Sequence, residues 1–342
     1  MSANIRETKI GFGYKKQSAI QTANVLADIW SLNKTNASLA ENTLNTEDDA
    51  EDLGKGHEFA TQVFKSHWDV QGSIEKYLTS EIAAWAFVFG LGARVKSGTT
   101  ALTYTCTPQD PVGSGIELPA FSFIETIRQG GSAVLDRMAV GCVVQDFRVT
   151  LGSGPGRASS KILINFVGCG KTVEPSGITL PAGTPEHLLP AASATVNING
   201  VDYVTARNMV SVELGFENDL RLDSGFFPGS GTQDGAAIRG RMEFGNRKAM
   251  LKFVARFVNG STELTKLRNQ TTGTAAIGLQ GELISGGDYH SMTVTFQKVA
   301  FKTAVIGDTD GIVTVEVDCA PLYDTSNGLL SAVAKCAQDN IG

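Results

Sequence analysis

The chain reads as mainly β, with two short helices placed one each in a tandem pair of duplicated β-sandwich or barrel domains. Three observations predict this. Most of the 342 residues alternate apolar and polar side chains in short runs, and a period of two puts successive residues on opposite faces of a strand. Gly, Asp, Asn and Pro separate the runs, and the 38 glycines follow no fixed period, which assigns them to turns and excludes a collagen-like repeat. Two segments carry a helical period instead, at a spacing that suggests an internal repeat.

The strand signal is clearest at Phe121-Ser122-Phe123-Ile124-Glu125-Thr126-Ile127 and at Val143-Val144-Gln145-Asp146-Phe147-Arg148-Val149. It recurs at Lys161-Ile162-Leu163-Ile164-Asn165-Phe166, over 210–216, over 292–296 and over 312–317. Alternation of this kind, punctuated by turns, is the pattern of antiparallel sheets with one face packed and one wet.

The first helical segment places Ile82, Trp85, Ala86 and Phe89 at i, i+3, i+4 and i+7, with Thr79 or Ser80 to cap it and Gly90 and Gly92 to stop it. Met250, Phe253, Val254 and Phe257 repeat those spacings, with Asn246 as cap and Gly260 as stop. Each is expected to be a helix of about three turns with one apolar face. Met250 follows Ile82 by 168 residues, and the same shift carries Gly72, Ile74 and Glu75 onto Gly240, Met242 and Glu243. The two Glu residues are expected to open the helices, where the positive end of the dipole favours them. A closing hairpin also recurs, 144–152 then 161–166 against 299–307 then 312–317. These matches predict a first domain over 1–172, a linker over 173–192 that holds four of the ten prolines, and a second domain over 193–342.

Each half carries a long polar insertion. One spans 33–56 and contains the acidic run Glu47-Asp48-Asp49-Ala50-Glu51-Asp52; the other spans 221–235 and contains Phe226-Phe227. Loops of this length are usually functional or disordered, and an exposed Phe pair needs a cover.

Charge and composition exclude several classes. The 29 basic and 35 acidic residues give a net charge of −6, which disfavours a nucleic-acid grip, since neutralising phosphates requires a basic surface. No uncharged apolar run reaches membrane-spanning length, and the first residues lack the apolar stretch of an export signal. A product made in the cytoplasm, without a membrane, is the expectation. The odd set Cys106, Cys142, Cys169, Cys319 and Cys336 then reads as free buried thiols. Among His57, His67, His187 and His290 no two share ligand spacing, so no metal is expected.

Catalytic motifs fail in turn. Gly168-Cys169-Gly170-Lys171-Thr172 has the end of a phosphate-binding loop, but Asn165 stands where its first Gly belongs and a Pro-rich linker follows in place of a helix. Neither a nucleophile elbow nor a His-Glu-x-x-His motif occurs. His67 reads as an isolated side chain, and Asp308-Thr309-Asp310-Gly311 as a turn. No enzyme, catalytic residue or cofactor is expected.

Residues 82–92, Leu118-Pro119-Ala120-Phe121-Ser122-Phe123, Gly141-Cys142-Val143-Val144 and Phe166-Val167-Gly168-Cys169-Gly170-Lys171 resemble the tail tube proteins of long-tailed bacteriophages. In the second half, 210–218, Gly240-Arg241-Met242-Glu243-Phe244 and Val317-Asp318-Cys319-Ala320-Pro321-Leu322-Tyr323-Asp324 are similar to the same family, so that the likeness covers roughly 60–330. The resemblance implies a virion protein of the duplicated tube-domain type that self-assembles into stacked rings. These form the conduit for DNA ejection, with tape-measure, tail terminator and tail-tip proteins as partners. DNA would transit the lumen without specific binding. Two domains per chain then imply a ring of three chains with pseudo-sixfold symmetry, with a ring of six as the competitor. A tail terminator, baseplate ring or decoration protein is the alternative function. Asp48, Asp49, Glu51, Asp52, Phe226 and Phe227 are the expected inter-ring contacts. Ile82, Trp85, Phe89, Met250, Phe253 and Phe257 are the expected helix core of the two repeats.

Overall fold

The computed structural model describes residues 6–31, 36–48, 62–129, 132–152, 160–175, 177–181, 186–206, 208–309 and 311–342, and these are mainly strand. The first half runs β1 (Arg6–Gly13), β2 (Ile29–Ser31), β3 (Asn36–Asp48), β4 (Val63–Tyr77), α1 (Ser80–Leu91), β5 (Gly92–Ser97), β6 (Leu102–Pro108), α2 (Pro111–Ser114), β7 (Phe121–Gln129), β8 (Ser132–Gly152), β9 (Ser160–Gly168) and β10 (Thr172–Val173). The second runs β11 (Thr195–Ile198), β12 (Val201–Asp202), β13 (Met209–Glu217), β14 (Thr232–Gln233), β15 (Ala236–Ala237), β16 (Lys248–Arg256), α3 (Glu263–Arg268), β17 (Thr272–Ser285), β18 (Asp288–Thr309), β19 (Ile312–Leu322) and β20 (Leu330–Cys336). All six alternating runs singled out in the sequence are strands, within β7, β8, β9, β13, β18 and β19.

Two long strands organise the sheets. Residues 132–142 of β8 pair with β7, whereas 143–151 pair with β9. Likewise residues 288–300 of β18 pair with β17 and 298–309 with β19. Each long strand is bulged where it turns from one partner to the other, at Gln145 in β8 and at Lys302 in β18. An extra unpaired residue bends a strand and sharpens its twist, which lets one strand serve two sheets.

The result is one long antiparallel sheet in the order β3-β4-β9-β8-β13-β16-β19-β18. The order of pairing in its first four strands recurs in its last four. Behind it lie two smaller sheets, β2-β1-β7-β8-β10 and β5-β6-β20-β18-β17-β11-β12.

α1 lies between these layers. Thr79 Oγ1 accepts from the Ile82 amide at 3.3 Å, and Gly92, at φ 91°, ends the helix in a conformation that side chains resist. The predicted cap at Thr79 and stop at Gly92 are observed, whereas Gly90, also expected to stop the helix, lies inside it. The predicted single apolar face is not observed: all twelve residues are buried, as expected of a helix enclosed by strands on all sides. Trp85 packs against Phe12, Phe89 and Phe121 with ring centroids 4.6–4.9 Å apart, and its Nε1 donates to the Gly13 carbonyl at 2.9 Å. Ile82 and Phe89 are buried with it. One contiguous buried cluster runs from Phe12 through Trp85 to Phe216, Phe296 and Ala334, so both halves share a core that the sequence suggested would be two.

The second predicted helix is a strand. Met250, Phe253 and Val254 belong to β16, hydrogen-bonded on one edge to β13 and on the other to β19. Leu251, Phe253 and Ala255 are buried while Lys252 is exposed, a period of two inside the same residues. Phe257 lies just beyond the strand, half-buried, and Asn246 caps no helix. Met-Leu-Lys-Phe-Val-Ala-Arg satisfies both periods, and pairing on both edges selects the extended one. The helix of this half is the six-residue α3, whose polar sequence carried no apolar stripe. Its buried Glu263 accepts from the Tyr203 hydroxyl at 3.0 Å.

The 168-residue register falls with that helix. Gly72 of β4 faces Phe166 of β9, and the strand position that faces Cys319 of β19 is Leu251, not Gly240. Glu75 lies within β4 and Glu243 is bridged to Glu117, so neither opens a helix; the acid in the first turn of α1 is Glu81.

Candidate assembly surface

The long sheet buries alternate residues against the core and leaves the others to solvent. On β8, Phe147, Val149 and Leu151 face inward while Arg148 and Thr150 are exposed. The outward side chains alternate in sign across the strands. Lys161 Nζ lies 3.4 Å from Glu75, and Arg148 lies 3.7 Å from Asp146 and 3.9 Å from Glu213. Lys252 stands in register between Glu213 and Asp318. Exposed pairs of this kind add little to stability, about 0–1 kcal/mol each, but they cancel one another's fields. The face is charge-mixed.

Both edges of this sheet are open among the described residues. β3 pairs with β4 alone. At the other end, β18 loses its second partner after Ala300, leaving residues 302–308 paired only to β19. That segment exposes Val305 (60%) and Ile306 (48%), and the adjoining β19 exposes Ile312 and Val313. Exposed apolar edge strands template pairing with another chain unless covered.

The loop over 221–235 folds back onto the first half. Arg239, just after it and nearly fully buried, donates to the carbonyls of Leu222 at 3.1 Å and Gly168 at 3.2 Å and pairs with Asp69 of β4. Arg239 and Asn45 together hold Asp69 below the ordinary carboxylate range, against the upward push of its partial burial. The guanidinium also lies over the Phe226 ring, 4.6 Å from its centroid, with His67 on the ring at 4.8 Å. Trp68 Nε1 donates to Gln233 O at 2.9 Å and Lys65 Nζ to Asp234 O at 2.8 Å. Phe226 is therefore half-buried inside its own chain, while Phe227 remains 42% exposed beneath Arg241. Asp48 is exposed at the end of β3, and Asp49, Glu51 and Asp52 lie outside the described residues. The sequence offered no signal for Arg239, since one Arg in a polar segment looks like any solvated charge.

The five cysteines are free and buried, as expected, and burial pushes the thiols of Cys106, Cys319 and Cys336 up to about 12. Such thiols are inert. Residues after Gly168 continue through a turn into β10, not into a helix that would hold a phosphate. No helix among the described residues is long and apolar enough to cross a membrane. The chain matches no protein-family model and no curated protein sequence.

Proposed function

We propose that this chain is a structural subunit that closes into a ring by joining the two open edges of its long sheet, and that the rings stack into a virion tail tube through which DNA passes. The observation that carries the reading is the internal junction between β8 and β13, where the end of one four-strand unit pairs with the start of the next. The open stretch of β18 is to β19 what the end of β8 is to β9, and β3 is to β4 what β13 is to β16. A second copy therefore offers β18 the partner that β8 finds within the chain.

The recurring four-strand order supports a tandem duplication of one tube domain, here related through β3-β4-β9-β8 and β13-β16-β19-β18. Three chains contribute roughly 24 strands to a closed barrel, well above the 16–18 at which a barrel already encloses an aqueous channel. The charge-mixed face then lines the lumen, with no basic field to retain phosphates. Asp48 and Phe227, both exposed, would then be the contacts to a neighbouring ring.

Negative-stain microscopy of the purified protein tests the reading. Tubes are expected from the native chain and soluble single subunits from Val305→Lys, because a Lys on an open edge opposes strand addition. Rotational averaging and ring mass separate three chains from six. Single closed rings that never stack would assign a terminator or baseplate role instead, and tubes of ordinary length from Val305→Lys would overturn the edge-to-edge closure.

A further inference from the structure

Three segments remote in sequence bring two imidazoles and a carboxylate together. Glu81 stands in the first turn of α1, His290 near the start of β18, and His187 between them in the linker strung along residues 78–80. Glu81 and His290 are almost fully buried, and His187 is about a quarter exposed. The His187 Nδ1 lies 2.7 Å from Glu81 Oε1, the His290 Nδ1 lies 3.6 Å from the same oxygen, and Ser80 Oγ is 2.8 Å from the His290 Nδ1. The two rings stack at 3.7 Å, tilted by 12°. The His187 amide donates to Glu81 Oε2 at 3.0 Å and anchors the carboxylate.

We propose that Glu81, His187 and His290 form a binding site for one divalent transition ion of the zinc class, with the Ser80 hydroxyl or a water as the fourth ligand. Two imidazoles and one carboxylate are a common donor set for such an ion, at about 2.0–2.2 Å from each ligand atom. In a tetrahedron of that size the ligand atoms stand about 3.3–3.5 Å apart; Glu81 Oε1 lies 2.7 and 3.6 Å from the two Nδ1 atoms, and one donor atom from each of the three residues lies within 4.8 Å of the others. The ion takes the place of the proton between His187 and Glu81, and that proton shifts to Nε2 of the same ring. Ligation uses lone pairs in the ring plane, so binding also turns the imidazoles about their Cβ–Cγ bonds out of the stack. An ion there ties α1, the linker and β18 together at one point.

The test is made on the purified full chain, and its result is independent of whether tubes form. Protein is incubated with zinc or cobalt, dialysed exhaustively, and its metal content measured beside the visible spectrum of the cobalt form. One ion per chain, tetrahedral cobalt bands and a melting temperature raised by roughly 3 °C or more in excess zinc are expected. His187→Ala removes a partly exposed linker side chain, so its fold is expected to persist; retained zinc should fall at least about 100-fold. His187→Cys should restore binding and add a sulfur-to-cobalt charge-transfer band. Absence of retained metal in the native chain, or equal retention in His187→Ala, overturns the proposal.

Discussion

Leu214 of β13 stands directly opposite Val149 of β8, in the antiparallel ladder that joins the two halves into one sheet. Val149 lies four residues beyond the bulge at Gln145, as Ile306 lies four beyond the bulge at Lys302. Leu214 faces Leu251 of β16 as Leu39 faces Gly72 of β4. In the proposed ring the junction inside the chain sets the register of the junction between chains, which would place Ile306 of one copy opposite Leu39 of the next.

Cysteines introduced at Leu39 and Ile306 should then be joined by a short thiol cross-linker, because directly opposed residues have Cβ atoms about 4.5–5.5 Å apart. Denaturing gels should show covalent rings that end at three chains, and each single variant should give none. Efficient cross-linking from Leu39 to a position two residues away from Ile306, in place of Ile306, would overturn the register.

Arg239→Ala is expected to destabilise the subunit by about 3 kcal/mol. It removes one side of a pair with Asp69 and leaves the carbonyls of Leu222 and Gly168 short of a donor in a buried setting. Urea midpoints of the two proteins measure the loss. The 221–235 segment should become sensitive to protease at the same time, since Phe226 loses the guanidinium that covers it.

Trp85→Ala should cost about 3–5 kcal/mol, the range for deleting a large buried aromatic. The site is enclosed by Phe12, Phe89 and Phe121, and the variant also orphans the Gly13 carbonyl. Thermal unfolding followed by near-ultraviolet circular dichroism measures it. A loss below about 1 kcal/mol would mean that the core collapses around the vacancy far better than its packing indicates.

Acid should weaken the fold partly through Asp136. Its carboxylate is held below the ordinary range first by Arg128 and then by the amides of Ile178 and Gly177, which donate at 3.0 and 2.9 Å. The folded state therefore binds this proton less readily than the unfolded chain, and the carboxylate's contribution is complete above the unfolded value of about 3.9 and lost as pH falls through the folded one. Asp136→Asn should flatten the dependence of the urea midpoint on pH below about 4. An unchanged slope would assign the acid sensitivity to other carboxylates.

Several features of this molecule were legible in the residues alone. Alternation marked six of its principal strands, and Thr79 with Gly92 bounded α1, because caps and stops act through neighbouring backbone atoms. Local pattern failed at Met250, Phe253 and Val254, where one apolar set fits a helix or a strand and only pairing with β13 and β19 decides. It failed again at α3, too short and polar to show a stripe, and with these the 168-residue register was lost.

By itself, then, the sequence determined that the chain is built mainly of antiparallel strands with at least one helix, for the physical reason that side-chain period and capping are local properties. The tertiary structure alone decided which strands meet, that β8 and β18 each serve two sheets, that the long sheet ends on two open edges, and that Arg239 seals Phe226 against the first half. It also brought Glu81, His187 and His290 to one point. Several of those rest on contacts between residues 71 to 170 positions apart, formed by the burial of a shared core that no window along the chain contains.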